Sequence, residues 1–174
     1  NYTEFDKLDK HRVCGIKLFM GSSTGNMLVD KMNSLLNIFN GTDMLIAAHC
    51  EDQETIKNNI EKYKQKYKGA DDIPVSAHPS IRSVPACYAS SELAVRLAKI
   101  AGARLHILHV STAKELQLFS DEPLANKNIT AEACVAHLLF TLTHYNSLGA
   151  RIKCNPAVKR KTDREALRTA VNSG

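Results

Sequence analysis

The sequence predicts an α/β fold whose strands run parallel and curve as in a β/α barrel, on three observations. Short apolar runs alternate with stretches whose apolar residues recur at helical spacing, and that alternation implies parallel pairing through right-handed crossovers. Three of the runs close on lysine or histidine where a strand should end: Gly15-Ile16-Lys17-Leu18-Phe19, Ala47-Ala48-His49-Cys50-Glu51-Asp52 and His106-Ile107-Leu108-His109-Val110-Ser111-Thr112. In a parallel barrel the carboxyl ends of the strands converge on one face, where residues distant in sequence meet. The chain has 174 residues, whereas a closed barrel takes roughly 250. The expectation is therefore one partial domain over residues 1–174, an arc with two open strand edges that should be unstable or associate in isolation.

Residues 13–19 read as a buried strand and Gly21 to Gly25 as the loop after it. Leu28, Met32, Leu35, Leu36 and Phe39 fall on one helical face, and Asn40-Gly41 supplies the stop. Residues 44–48 form a second strand that ends at His49. Glu51, Asp52 and Glu54 suit a helix amino terminus, and Ile56, Ile60, Tyr63 and Tyr67 make the next apolar stripe up to Gly69. Residues 70–81 carry two prolines and read as a long loop. Ser83 and Pro85 then open a helix that buries Leu93, Leu97, Ala98 and Ala101 and stops at Gly102. Residues 104–110 are the third strand, with Ser111-Thr112 capping a short helix through Phe119. Residues 128–133 and 150–154 suggest two further strands around a helical segment at 137–142. Thr162-Asp163-Arg164-Glu165 has the form of a capping box for a last helix, striped by Ala166, Leu167, Ala170 and Val171. Residue 1 is Asn, and a helix begins close to the end, so the chain reads as the middle of something longer.

The composition, 44% apolar and 24% charged, is that of a globular domain with one core. The net charge of +5 is concentrated among the lysines of residues 57–68 and in residues 151–168. No stacking aromatics or recognised motif accompany these basic runs, so they read as solvated helix faces and no nucleic-acid partner is expected. Five scattered cysteines without a C-x-x-C pair suit a reducing cytoplasm rather than a disulfide framework. No run approaches a membrane span, and no membrane partner is expected.

Histidine at a strand terminus presents a neutral ring nitrogen to a metal while its other nitrogen is held by an outer partner. His49 and His109 have that placement, although each taken alone reads more readily as a hydrogen-bonded core histidine; Glu51 and Asp52 after His49 either serve as its outer partner or merely begin the helix. His106, three residues before His109, is expected on the opposite face. Lys17 is the odd member, since an ammonium repels cations and is costly to bury. It either snorkels from the sheet or holds a neutral amine able to capture carbon dioxide, and the resulting anionic carbamate has two oxygens that can bridge two cations. Cys50 reads as a small buried thiol, because no triad accompanies it. Gly21 to Gly25 lacks the Gly-Lys-Ser/Thr ending of a phosphate loop.

Taken in order, these strings resemble the dihydroorotase family of cyclic amidohydrolases, a superfamily that also includes hydantoinases and allantoinases. The Lys17 string resembles the family's fourth barrel strand with its carbamylated lysine, the His49 string the fifth, and His109-Val110-Ser111-Thr112 the sixth. Ile152-Lys153-Cys154-Asn155-Pro156-Ala157 is similar to the seventh-strand Asn-Pro motif, whose asparagine contacts the pyrimidine ring. The resemblance implies a TIM-type (β/α)8 metal-dependent hydrolase barrel, of which this chain is the arc from about strand 4 to strand 7. It implies two divalent metal ions, zinc by family usage, held by Lys17 as a carbamate with His49 and His109, and a substrate contact at Asn155. The small-molecule substrates implied are dihydroorotate and N-carbamoyl-aspartate, in the cytoplasm, with a homo-oligomer as a possible assembly. The family's first-strand His-x-His pair and eighth-strand catalytic aspartate have no match in these residues, so the catalytic base is unassigned and the isolated chain is expected to be inactive. His137 stands where the family has a paired histidine and is given only a structural role. A hydantoinase or allantoinase, or a non-catalytic structural subunit, are the competing readings.

Overall fold

Four short apolar segments supply the sheet. The computed structural model describes residues 2–21, 28–29, 31–69, 71 and 73–173. Strands β1 (Ile16–Met20), β2 (Ile46–Cys50), β3 (Leu105–Ile107) and β4 (Ile129–Ala131) pair in sequence order, all parallel. Six helices lie between and after them: α1 (Met32–Asn40), α2 (Gln53–Tyr67), α3 (His78–Ile81), α4 (Val84–Ala101), α5 (Val135–Leu139) and α6 (Tyr145–Leu148). A seventh, α7 (Lys161–Ser173), ends the described chain. The order β-α-β-α-β-β follows the expected alternation through β3 and departs from it between β3 and β4, which only 3-10 turns connect; the sheet does not close among the described residues.

Strand alternation divides the sheet into two unlike walls. Leu18, Met20, Ile46, Ala48, Leu105 and Ile107 are buried on the helix-covered side with Leu35 and Phe39 of α1 and Ala94, Leu97 and Ala98 of α4. Burying each large side chain of this wall contributes about 1.5–3 kcal/mol. Small residues at 94 and 98 bring α4 close to the sheet, and Gly102, at φ 64°, ends that helix in a left-handed turn. The opposite wall carries Lys17, Phe19, Ala47, His49, His106 and Thr130. This is the side that faces inward when a parallel sheet curves into a barrel.

The local chemistry follows the sequence closely at α2. The Asp52 carboxylate accepts from the Thr55 backbone N–H at 2.8 Å and caps the helix, which sets α2 at the carboxyl end of β2. The Asp52 N–H donates to the Ala86 carbonyl at 2.9 Å, so α4 begins at the same end and runs back toward β3. Gly21 ends β1 at φ 141°, where a Cβ would overlap the Glu51 carbonyl oxygen; only glycine lets the two strand ends pass.

Several expectations are corrected. Residues 150–154 form no strand: Gly149–Ile152 is a 3-10 turn, and of residues 150–154 only Ile152 is buried, in a small cluster with Tyr145 and Val158. Leu28 stands before its helix and bridges to Phe19 in parallel, so α1 starts at Met32. The long loop contains a 3-10 turn at Val75–Ala77 and the one-turn helix α3. The segment after Thr112 is helical only as a 3-10 turn at Glu115–Leu118. At α7 the cap comes from Asp163, whose carboxylate accepts from the Arg160 N–H at 3.2 Å and the Ala113 N–H at 3.0 Å, rather than from Thr162. The glycine loop after Gly21 lies outside the described residues. A groove of about 740 Å³ follows the open edge of β4 against α7, lined in part by Ile129, Ala131, Leu167 and Val171.

Candidate active site

Parallel register places the three strand-end residues. Lys17 lies opposite Ala47 and Phe19 opposite His49, so Lys17 and His49 share the inward wall two residues apart in height. β3 stops at Ile107, and His109 takes a left-handed backbone with φ 43°. That turn breaks the two-residue alternation and swings the His109 ring back over the sheet. Its Nε2 stands 3.1 Å from His49 Nδ1, with the rings edge to face at 76°. His106 pairs in register with Ala47 and so faces the same inward wall, against the expectation; the alternation argument fails because the strand ends before it reaches His109. His106 Nδ1 meets Thr130 Oγ1 at 2.8 Å, and its Nε2 stands 3.5 Å from Glu132.

His49 is fixed from behind. Its Nε2–H donates to Glu51 Oε2 at 3.0 Å, and Arg82 Nη1 donates to the same oxygen at 2.5 Å. Glu51 is fully buried; burial pushes its carboxyl up, but the His49 hydrogen bond and the Arg82 charge outweigh it and hold the group below its ordinary value. A carboxylate only accepts, so His49 carries its proton on Nε2 and turns the Nδ1 lone pair toward His109. Burial pushes His109 down to about 4, with the charges of His49 and Lys17 adding to it, so His109 is a neutral ligand-type imidazole. Its Nδ1 is buried without a hydrogen-bond partner.

The donor set fits two positions of one cation. Two imidazole nitrogens bound about 2.0–2.1 Å from a tetrahedral ion stand about 3.4 Å apart, close to the 3.1 Å seen here. The carboxylate behind His49 is the outer partner that metal-bound histidines use. Among the described residues no three His, Cys, Asp or Glu side chains form a metal-holding group. Lys17 is of a type that joins such a group only after modification. Its Nζ lies 4.3 Å from the Phe19 ring centre, and partial burial lowers its pKa, which favours the neutral amine.

Asn155 lies beyond the sheet, exposed, in the connection between α6 and α7. The carbonyls on either side of it are bound: Cys154 O accepts from His78 Nε2 and Pro156 O from His137 Nε2, each at 2.9 Å. Sequence reasoning missed His78, which lies in the segment 70–81 read as a long loop, and Arg82, which follows directly before the next helix; no periodicity marks a side chain's direction at either position. Ser111 and Thr112 hold the buried Glu115, whose carboxylate accepts from Thr112 at 2.8 Å and Ser91 at 2.7 Å. Burial pushes the Cys50 thiol up to about 12, in keeping with a structural thiol.

No family model matches the chain. Curated relatives include the dihydroorotase of Halalkalibacterium halodurans, 30% identical over 150 residues that cover 85% of this chain and 32% of the relative. The dihydroorotase of Staphylococcus epidermidis is 27% identical over 174 residues, 99% of this chain and 39% of the relative. The chain thus spans about a third of the length of the relatives it matches. Among solved structures, a D-hydantoinase superposes with a TM-score of 0.85 and the L-hydantoinase (dihydropyrimidinase) of Arthrobacter aurescens with 0.86. Both are 22% identical, and each superposition covers 99% of this chain and 38% of the neighbour, which shows the fold. With strand ends, register and relatives in agreement, the chain belongs to the cyclic amidohydrolases, as a four-strand stretch of their barrel related in sequence to the dihydroorotases.

Proposed function

We propose that the intact protein containing this chain is a metal-dependent dihydroorotase of pyrimidine biosynthesis, working in the cytoplasm. It opens the ring of dihydroorotate to N-carbamoyl-aspartate and, in reverse, closes it. In the hydrolytic direction the oxygen of water bonds to the ring carbonyl carbon, the ring C–N bond breaks, and a proton passes to the departing nitrogen. Lys17 as a carbamate, His49 and His109 would hold the divalent cations, zinc in this reading. When bound, the cations polarise the ring carbonyl and lower the pKa of a water. His49 keeps its lone pair aimed inward because Glu51, itself held by Arg82, accepts from its far nitrogen. Asn155 hydrogen-bonds the pyrimidine ring. No residue of this chain matches the family's aspartate, so proton transfer to nitrogen is assigned to none of them.

The observation that carries the reading is the 3.1 Å approach of His49 Nδ1 to His109 Nε2 on the same wall as Lys17, in a chain whose curated relatives are dihydroorotases. The hydantoinase reading rests on the structural neighbours, whose 22% identity speaks to fold only. The test is turnover by the intact, metal-loaded protein of dihydroorotate, hydantoin and allantoin side by side. Preference for dihydroorotate supports the proposal, preference for hydantoin or allantoin replaces it with the corresponding amidohydrolase, and no turnover favours a structural subunit.

A further inference from the structure

We propose that His78 and His137 are positioning residues that clamp the backbone on both sides of Asn155 and so set the direction of its amide. The inference rests on the reading that Asn155 contacts the substrate. The two rings come from different parts of the chain, α3 and α5, and both are buried. Each Nε2–H donates to one carbonyl, that of Cys154 or that of Pro156, at 2.9 Å. Asn155, which follows the first of those carbonyls, is exposed, and Pro156, which carries the second, is buried.

Strands hold a side chain by register, but this connection has no register to hold it. Nearby, the Leu142 N–H donates to the Lys159 carbonyl at 2.7 Å, four residues past Asn155, and Lys159 Nζ bonds back to Ala157 only two residues away. Binding the Cys154 carbonyl fixes the peptide plane before the Asn155 Cα, and binding the Pro156 carbonyl fixes the plane beyond Pro156, whose ring already holds its φ near about −65°; the short backbone between the two anchors, from which the Asn155 side chain leaves, has little freedom left to rock. Both imidazoles donate through Nε2, and His137 Nδ1 is buried without a partner, which suits a neutral ring with a single proton.

The experiment uses the intact, metal-loaded enzyme and whichever of dihydroorotate or hydantoin it turns over, so it runs whether or not the dihydroorotase reading holds. Variants Asn155→Ala, His78→Ala, His137→Ala, His137→Asn, His137→Gln and the double variant Asn155→Ala/His137→Ala are compared for kcat, KM and urea midpoint. Asn155→Ala should raise KM about tenfold, the loss of one hydrogen bond to substrate. His78→Ala and His137→Ala should each raise KM about three- to tenfold with kcat changed less than about twofold. His137→Gln, whose amide reaches the Nε2 position, should restore KM to within about twofold of the parent; the shorter His137→Asn should not. The double variant should match Asn155→Ala alone, since a clamp has no effect once its cargo is gone. Histidine variants that lower the urea midpoint but leave KM unchanged would overturn the clamp, as would KM increases that multiply in the double variant. An unchanged KM in Asn155→Ala would remove the substrate contact and the clamp together.

Discussion

The strand ends and the Asn155 connection deliver functional side chains to one face by opposite means. At the strand ends a parallel ladder sets Lys17 and His49 to one wall, and a buried carboxylate then locks the His49 ring. In the connection no ladder exists; two imidazoles reach across the fold and hold the main chain by its carbonyls. Backbone pairing tolerates side-chain changes behind it, whereas a clamp built from side chains fails when either is lost. The first kind of placement therefore suits groups whose geometry tolerates no drift, and the second suits a group that must be oriented but need not be rigid.

The largest difference should come from the strand-end pair itself. In the intact enzyme His49→Ala or His109→Ala should lower kcat/KM by about 10³-fold or more and release bound metal, measured by elemental analysis beside the assay. If either variant kept full metal and activity, the two regions would not differ as described.

Core truncations compare the two regions for stability. Ile46 is fully buried in the main core, whereas Ile152 belongs to the small cluster under the connection. Ile46→Ala should cost about 4 kcal/mol and Ile152→Ala about 2 kcal/mol by urea unfolding, because the smaller cluster can collapse around the void. Equal costs would show that the connection is packed as firmly as the sheet. Behind the ligands, Glu51→Gln keeps the shape but removes the charge that holds His49 and faces Arg82. Metal affinity should fall about 10–100-fold in a chelator competition.

How much of this was legible in the residues divides along the same line. Lys17, His49 and His109 close apolar runs, and a run of strand length announces both the strand and the end at which chemistry collects. Three of the five expected strands overlap β1, β2 and β3 with ends displaced by one to three residues, and residues 128–133 enclose β4. The fifth, residues 150–154, was misread because Ile152 packs into a local cluster rather than onto a strand edge. His106 was assigned to the wrong face because no glycine marks the left-handed turn at His109: histidine is enriched at positive φ among non-glycine residues, but a single histidine in an apolar run does not by itself announce it. Arg82 and His78 stayed invisible for a related reason. Their roles depend on what the loop meets in three dimensions, and no local period encodes that.

Two smaller effects sharpen the comparison further. His78, His109 and His137 are all held neutral by burial, with folded pKa values below the unfolded 6.5. Below pH 6.5 the unfolded chain binds more protons than the folded one, so stability is fully present above that pH and is lost as the pH falls toward about 4, where His109 titrates. The metal-free intact protein should show a urea midpoint that declines across this window, with the decline shallower in His137→Gln. Asp52→Ala, which removes the cap of α2 at the carboxyl end of β2, should cost about 1 kcal/mol and leave KM unchanged.

The state of Lys17 tests the central claim most directly. In the metal-loaded intact enzyme the account predicts electron density for a carbamate on Lys17 that bridges two divalent ions, one of them also held by His49 and His109. The physical reason is that an ammonium beside two metal-binding imidazoles repels the cations, whereas the carbamate attracts them. Lys17→Ala should then lose metal and activity together, and both should partly return with a short added carboxylic acid that occupies the bridge. A free amine at Lys17, found with full metal occupancy and full activity, would contradict the account.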